Sequence, residues 1–341
     1  MRVLLAGGAG FIGSHLAEAL VARGDEVVIV DSFATGRREN LERIAAHPDV
    51  EVVEHDITAP LTSSYLEAMT GRADGRFDVV ANLASPASPS DFLTMPLYIL
   101  DTGSVGSRNL LNLAHEHRAR YLFASTSEVY GDPLVHPQSE DYLGNVSSTG
   151  PRSCYDEAKR FGEALAMGYQ RTHGVEVRIA RIFNTYGERM RPEDGRVVNT
   201  FIAQALKGEP LTLHGDGDQT RSFCHVSDMV SGLLALMDGP VTGPVNLGNP
   251  SELTIRALAE MIVRLTESPS IVVTMDMPPE RFGDPVRRCP SIGLARHELG
   301  WVPRLPIEEG LRRMITHFEQ HEGLERRFTS DNGTPSEPGW T

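Results

Sequence analysis

Cysteine is scarce in this chain: three in 341 residues, at Cys154, Cys224 and Cys289, with no Cys-x-x-Cys pair. An odd number of widely spaced thiols supports neither a disulfide framework nor a zinc knuckle, and fits a reducing compartment. Long apolar runs are missing too. No segment has the length of a bilayer span, and the apolar opening Val3–Ala6 is too short for a signal peptide. A cytoplasmic protein without membrane attachment is expected. Excess positive charge is also absent. With 32 Lys and Arg against 46 Asp and Glu, the formal net charge of -14 argues against a nucleic-acid partner. Local arginine clusters could still hold an anionic substrate. What remains, 40% hydrophobic with 32 Gly and 22 Pro, suits a globular enzyme of one large or two intimate domains.

The apolar run Val3–Ala6 reads as a strand buried on both faces, followed by Gly7-Gly-Ala-Gly-Phe-Ile-Gly13 and a helix over 14–23. Glycines between a strand and a helix let the chain turn tightly and approach a pyrophosphate. Gly7, Gly10, Phe11, Ile12 and Gly13 are therefore candidate dinucleotide contacts. The next strand, 27–30, ends in Asp31, placed to bind the adenosine ribose hydroxyls and to repel a 2′-phosphate. That favours NAD over NADP, although Arg37 and Arg38 lie close enough to hold such a phosphate. Asp56 ends a third strand, 50–57, within reach of the adenine amino group, with Ile57 beside it. Leu83 lies in a fourth strand, 78–84, and is a further cofactor candidate.

Strands at 121–125 and 175–180 continue the alternation with helices such as 107–118, so an α/β, Rossmann-like, doubly wound parallel sheet is expected. Ligands then lie outside the carboxyl ends of the strands. Residues 1–183 read as an NAD-binding domain with a later return near 218–238. Residues 184–321 read mainly as a smaller α/β substrate-binding domain, with short strands at 211–213 and 245–247 and a helix at 255–266. Residues 322–341 have little to bury and are expected to be disordered. His115 and His117, two apart on a helix, face different ways, and no metal is expected.

Candidate chemistry gathers at two places. The segment Gly150 to Arg160 reads as a helix after Pro151, which puts Tyr155 and Lys159 on one face. A neighbouring ammonium lowers a phenol pKa from about 10 and prepares it to exchange protons with an alcohol. The fifth strand ends in Ser125-Thr-Ser-Glu128, two hydroxyls and a carboxylate where chemistry is expected. Glu128 would serve as an acid or base if its pKa were raised. Arg189, Arg191, Arg196 and Arg221 form a cluster suited to phosphate or carboxylate oxygens.

These blocks resemble the extended short-chain dehydrogenase/reductases that modify nucleotide sugars, and within them the UDP-glucuronate decarboxylases (UDP-xylose synthases). The resemblance runs from residue 1 to about 315. It is carried by Ser85-Pro-Ala-Ser-Pro89, Ser125-Thr-Ser-Glu-Val-Tyr-Gly-Asp-Pro133 and Gly150-Pro-Arg-Ser-Cys-Tyr-Asp-Glu157. Arg181-Ile-Phe-Asn-Thr-Tyr-Gly187 and Gly215-Asp-Gly-Asp-Gln-Thr-Arg-Ser-Phe223 add to it. The resemblance implies a lyase that keeps and recycles NAD, and a homodimer formed through paired helices. Tyr155, aided by Lys159 and Thr126, would act at the sugar 4-hydroxyl. Ser127 and Glu128 would lie near C5 and the carboxylate. Arg221 would bind the diphosphate–sugar region and assist protonation, with Ser85, Pro86, Asn184, Arg191 and Arg196 as further UDP-sugar contacts. Asp101, Gly103 and Glu188 depart from the family's usual Lys, Asn and Pro. A 4-epimerase of UDP-glucuronate is the alternative on the same scaffold. A nucleotide-sensing protein without turnover is the alternative from another class.

Overall fold

The computed structural model describes residues 1–71, 76–191, 194–276 and 287–321. Seven strands form the main sheet: β1 (Arg2–Ala6), β2 (Glu26–Asp31), β3 (Val50–Glu54), β4 (Val79–Asn82), β5 (Arg120–Thr126), β6 (Val177–Ile182) and β7 (Gly243–Leu247). Their order is β7-β6-β5-β4-β1-β2-β3, and every pair is parallel. Val3 of β1 sits in register with Val27 on one side and Val79 on the other. The strand order reverses between β1 and β4, which opens a crevice at their carboxyl ends.

Both faces of the sheet are covered, which is why its central strands β1 and β4 are almost wholly buried, while the edge strand β3 keeps Glu51 and Glu54. Leu16 and Leu20 of helix Phe11–Ala22 join Met229 and Leu233 of helix Val226–Asp238 in the core on one face. Leu110 and Ala114 of helix Ser107–His117 join Ala166 of helix Ser153–His173 on the other. Each fully buried leucine stabilises the fold by roughly 1.5–3 kcal/mol. A third core, including Phe201, Leu213, Leu258, Ile262, Leu311 and Phe318, binds three helices to the strand pair Leu211–His214 and Val272–Met275. A small sheet of Glu252–Thr254, Thr220–Ser222 and Arg287–Arg288 lies beside it in the chain's later half.

The expected helices over 107–118 and 255–266 appear as Ser107–His117 and Ile255–Thr266. The placing of 245–247 in the smaller domain is corrected: these residues belong to β7, paired with β6 through Val245↔Ala180 and Leu247↔Ile182. A five-residue apolar strand carries no mark of which sheet it joins; the partner strand decides. The expectation of disorder at 322–341 lies outside the described residues. No described helix is long and apolar enough to cross a membrane.

Candidate active site

The glycine loop is held by its own backbone. Gly7 N donates to Val30 O at 2.9 Å, and Gly10 N donates to Gly7 O at 3.2 Å. Gly7 has φ +79°, and a Cβ there would stand 2.6 Å from Ala84 N. A Cβ on Gly13 would stand 2.0 Å from Gly7 O. Both positions therefore require glycine, and the loop closes tightly over the start of its helix. Phe11, Ile12, Gly13 and Leu83 line the main cleft, and Asp31, Ile57, Ser85 and Pro86 line a small recess that continues from it past Gly10.

Asp31 is buried, and its carboxylate accepts from Ala9 N at 2.9 Å and Phe33 N at 2.8 Å. Burial pushes its pKa up, partly offset by those two amides. The carboxylate thus stays fixed at the recess wall. Asp56 behaves differently. Its Oδ1 accepts from both the amide and the hydroxyl of Thr58, each at 2.8 Å, so the acid closes its own turn. The recess wall holds Tyr98 and Ser32 as well, their hydroxyls 3.1 Å apart, which sequence reasoning missed.

The cleft has a volume of about 780 Å³, and Thr126, Ser127, Glu128, Tyr155 and Lys159 lie along it. β5 delivers the first of these at its carboxyl end, where the chain turns into the short helix Ser127–Tyr130. Thr126 Oγ1 accepts from Glu128 N at 3.2 Å and fixes that turn. Helix Ser153–His173 brings Tyr155 and Lys159 to one face, with the ammonium 5.7 Å from the phenol ring centre. Lys159 Nζ donates to Ala124 O at 2.9 Å, which ties the helix to β5. Phe92 stacks on Tyr155 with ring centres 4.8 Å apart.

The expected lowering of the Tyr155 pKa is corrected. Burial pushes it up to about 12, against a hydrogen bond from Thr126 and the charge of Arg196. Burial also brings Lys159 down to about 8. In the protein's own field, desolvation outweighs the groups that lower the phenol.

The expectation of a raised Glu128 pKa is corrected too. Burial alone would raise it, but the guanidinium groups of Arg288 and Arg152 outweigh burial and hold it well below the ordinary carboxylate range. Arg288 Nη1 contacts Glu128 Oε1, while Arg152 Nη2 lies 2.8 Å from Oε2. Beside this ionised carboxylate, Asp156 is displaced the other way by burial and by the Glu128 charge. Among the described residues, Asp156 Oδ1 is buried without a hydrogen-bond partner. Two carboxyl groups with opposite displacements can hold and accept protons at different pH.

Asn184, Arg191, Arg196 and Arg221 all line the cleft. Arg191 pairs with Asp91 at 2.9 Å, and Arg196 Nη2 donates to Ala87 O at 2.7 Å. Arg221 Nη1 donates to Thr220 O at 2.8 Å. Its strand neighbour Arg288, paired as Arg221↔Arg288, reaches Glu128 together with Arg152. Arg288 and Arg152 were missed as site residues; no short spacing links Arg288 to a residue 160 positions earlier. The departures lie elsewhere. Asp101 is exposed, and a Cβ on Gly103 would meet Ala158 Cβ at 2.6 Å. Glu188 pairs with buried His225 at 3.3 Å.

The family described as GDP-mannose 4,6 dehydratase matches residues 4–314. UDP-glucuronic acid decarboxylase 1 of Danio rerio is 49% identical over 319 residues, covering 94% of this chain and 73% of that protein. The chain belongs to the extended short-chain dehydrogenase/reductases. Within this family, UDP-glucuronic acid decarboxylase 6 of Arabidopsis thaliana is 48% identical over 328 residues, 96% of this chain and 91% of that one. A solved extended short-chain dehydrogenase/reductase, the UDP-glucuronic acid 4-epimerase of Bacillus cereus in complex with UDP-glucuronic acid and NAD, superimposes with a TM-score of 0.82. It is 26% identical, and the match covers 94% of this chain and 99% of the epimerase.

Proposed function

We propose that this enzyme decarboxylates UDP-glucuronate to UDP-xylose through a 4-keto sugar. The observation that carries this reading is the 48–49% identity to proteins named for that activity over more than nine-tenths of the chain. The glycine loop, Asp31 and the Tyr155–Lys159 pair suit NAD, held along the crevice between β1 and β4. NAD supplies a hydride acceptor that later becomes the donor, and a positive ring whose field favours the Tyr155 phenolate.

Tyr155 takes the proton of the sugar 4-hydroxyl as C4 is oxidised, with Thr126 sharing the hydrogen bond. The ketone so formed lies β to the C6 carboxylate. The C5–C6 bond then breaks, its electron pair enters the enolate, and CO2 leaves. Glu128 is ionised, so it orients Arg288, Arg152 and water rather than giving up a proton of its own. Water protonates C5 to give the pentose ketone, and Tyr155 returns its proton to O4 as C4 is reduced again. Ser127 and the arginines at 191, 196 and 221 would hold the sugar and diphosphate.

We place the dividing line of the chain near residue 183, with 218–238 and β7 returning to the cofactor half. A homodimer fits the exposed Leu97, Leu100 and Phe161 on helices Pro96–Asp101 and Ser153–His173, which pack side by side. Three free, buried thiols suit the cytoplasm.

The test is NMR of the purified protein with UDP-glucuronate and catalytic NAD+, with trapped CO2 counted. CO2 with a UDP-pentose supports the reading. A UDP-hexuronate epimer without CO2 overturns it in favour of 4-epimerisation.

A further inference from the structure

His136, Glu252 and Cys289 are used by none of the chemistry above, yet their ligand atoms all lie within 4.8 Å of one another. They come from three separate segments, and each segment is fixed by backbone hydrogen bonds. Gln138, fully buried two residues after His136, donates from its N to Cys289 O and accepts at Oε1 from Cys289 N, both at 2.9 Å. Ser291 N donates to Gln138 O at 2.7 Å. Glu252 begins the strand that pairs with Ser222, and Cys289 directly follows the strand pairing Arg288 with Arg221. The three side chains therefore meet at one end of the small sheet.

Their present partners occupy only part of their capacity. His136 Nε2 lies 2.9 Å from Glu252 Oε2, and Thr220 Oγ1 donates to Glu252 Oε1 at 2.6 Å. The Cys289 thiol donates to Pro250 O at 3.2 Å. The imidazole and carboxylate are about one-third exposed, while Cys289 is buried beneath them. A cation could therefore enter from solvent and meet sulfur below.

We propose that His136, Glu252 and Cys289 form a binding site for a divalent cation of the zinc class. One nitrogen, one carboxylate oxygen and one thiolate sulfur are the donor types that zinc prefers, and hard cations such as magnesium avoid sulfur. Tetrahedral zinc holds its ligand atoms about 3.5 Å apart. Binding therefore needs the widest pair to draw in by about 1 Å and the His136–Glu252 pair to open slightly. Water takes the fourth position. The thiol proton leaves to solvent as the metal–sulfur bond forms, with no change of oxidation state. Such a metal would join the His136 segment to the strand bearing Arg288, whose guanidinium holds Glu128.

The experiment uses the full chain without a histidine tag, stripped with a chelator and titrated with Co2+ as a spectroscopic substitute for Zn2+. The expected result is a near-ultraviolet thiolate-to-cobalt band with strong visible bands, and one Zn2+ per chain by equilibrium dialysis. Cys289→Ser removes the thiolate band, and Cys154→Ala keeps it. His136→Gln and Glu252→Gln, both at partly exposed positions, each weaken Co2+ binding by about tenfold or more. Absence of the thiolate band, its survival in Cys289→Ser, or unchanged affinity in both glutamine variants would overturn the proposal.

Discussion

Arg288 is the residue whose loss should tell most about this site. It is buried at 3% exposure, contacts Glu128 through Nη1 and donates from Nη2 to Gly131 O at 2.9 Å. Arg288→Met keeps the length and apolar stem but removes the charge. A charge pair at about 4 Å in an effective dielectric of about 20 is worth about 4 kcal/mol before desolvation is counted. Desolvation takes back part of this, leaving about 2–3 kcal/mol, or roughly two pKa units on Glu128. Arg152 stays at 2.8 Å and keeps some of the depression. In the parent enzyme the carboxyl lies below the ordinary range, so it stays ionised down to acid pH. Its stabilising contribution is complete above the unfolded value of about 4.3 and is lost as pH falls through the depressed folded value. In the variant the contribution is smaller, and its loss is complete at a higher pH. The assay is CO2 release as kcat and KM against pH. We expect kcat at neutral pH to fall about 100-fold and the acid limb to move up by about two units. Arg288→Lys should fall between, because a single ammonium cannot fork to Glu128 and Gly131 together. A kcat and acid limb unchanged in Arg288→Met would refute this reasoning and leave Glu128 to Arg152 alone.

Tyr155→Phe removes the group we propose exchanges the O4 proton, so kcat should fall by about 10²–10⁴ while NADH binding, followed by fluorescence, is retained. Gly13→Ala puts a Cβ 2.0 Å from Gly7 O, so the loop must shift. About 1–3 kcal/mol of stability should be lost, read as a lower Tm, and NADH affinity should drop with it. Asp156 has its folded pKa raised, so the fold favours its neutral form and stability declines as pH rises from the ordinary Asp range through that raised value. Asp156→Asn should therefore gain stability over the parent at pH 8 and little or none at pH 4. Equal Tm differences at both pH values would contradict this assignment.

Much of the large sheet was legible because the apolar runs of its central strands announce burial on both faces, and the glycine loop announces the crevice. β7 was not, since Gly243-Pro-Val-Asn-Leu247 fits either sheet and only pairing with β6 settles it. The hydroxyls of Ser125 to Ser127 and the Tyr155–Lys159 face were legible for a related reason. Strand ends and helical spacing are local properties, readable from neighbouring residues. The charge state of Glu128 was not, because it is set by Arg288 from a distant strand as well as by nearby Arg152.

Tyr155 and Lys159 mark the boundary between what spacing tells and what it leaves out. Four-residue spacing correctly brings phenol and ammonium to one helix face, yet it carries no information on burial. Here burial raises the phenol and lowers the amine, so each group moves toward its neutral form. The chain contains only two lysines, Lys159 and Lys207, and uses arginine for nearly all its other cationic side chains. An arginine at 159 would stay charged whatever its surroundings and would bring more donors than the Ala124 carbonyl can accept. A buried amine with a pKa of about 8 can instead respond to whatever charge arrives beside it. That adaptability requires lysine, and it explains why a chain so poor in lysine places one here.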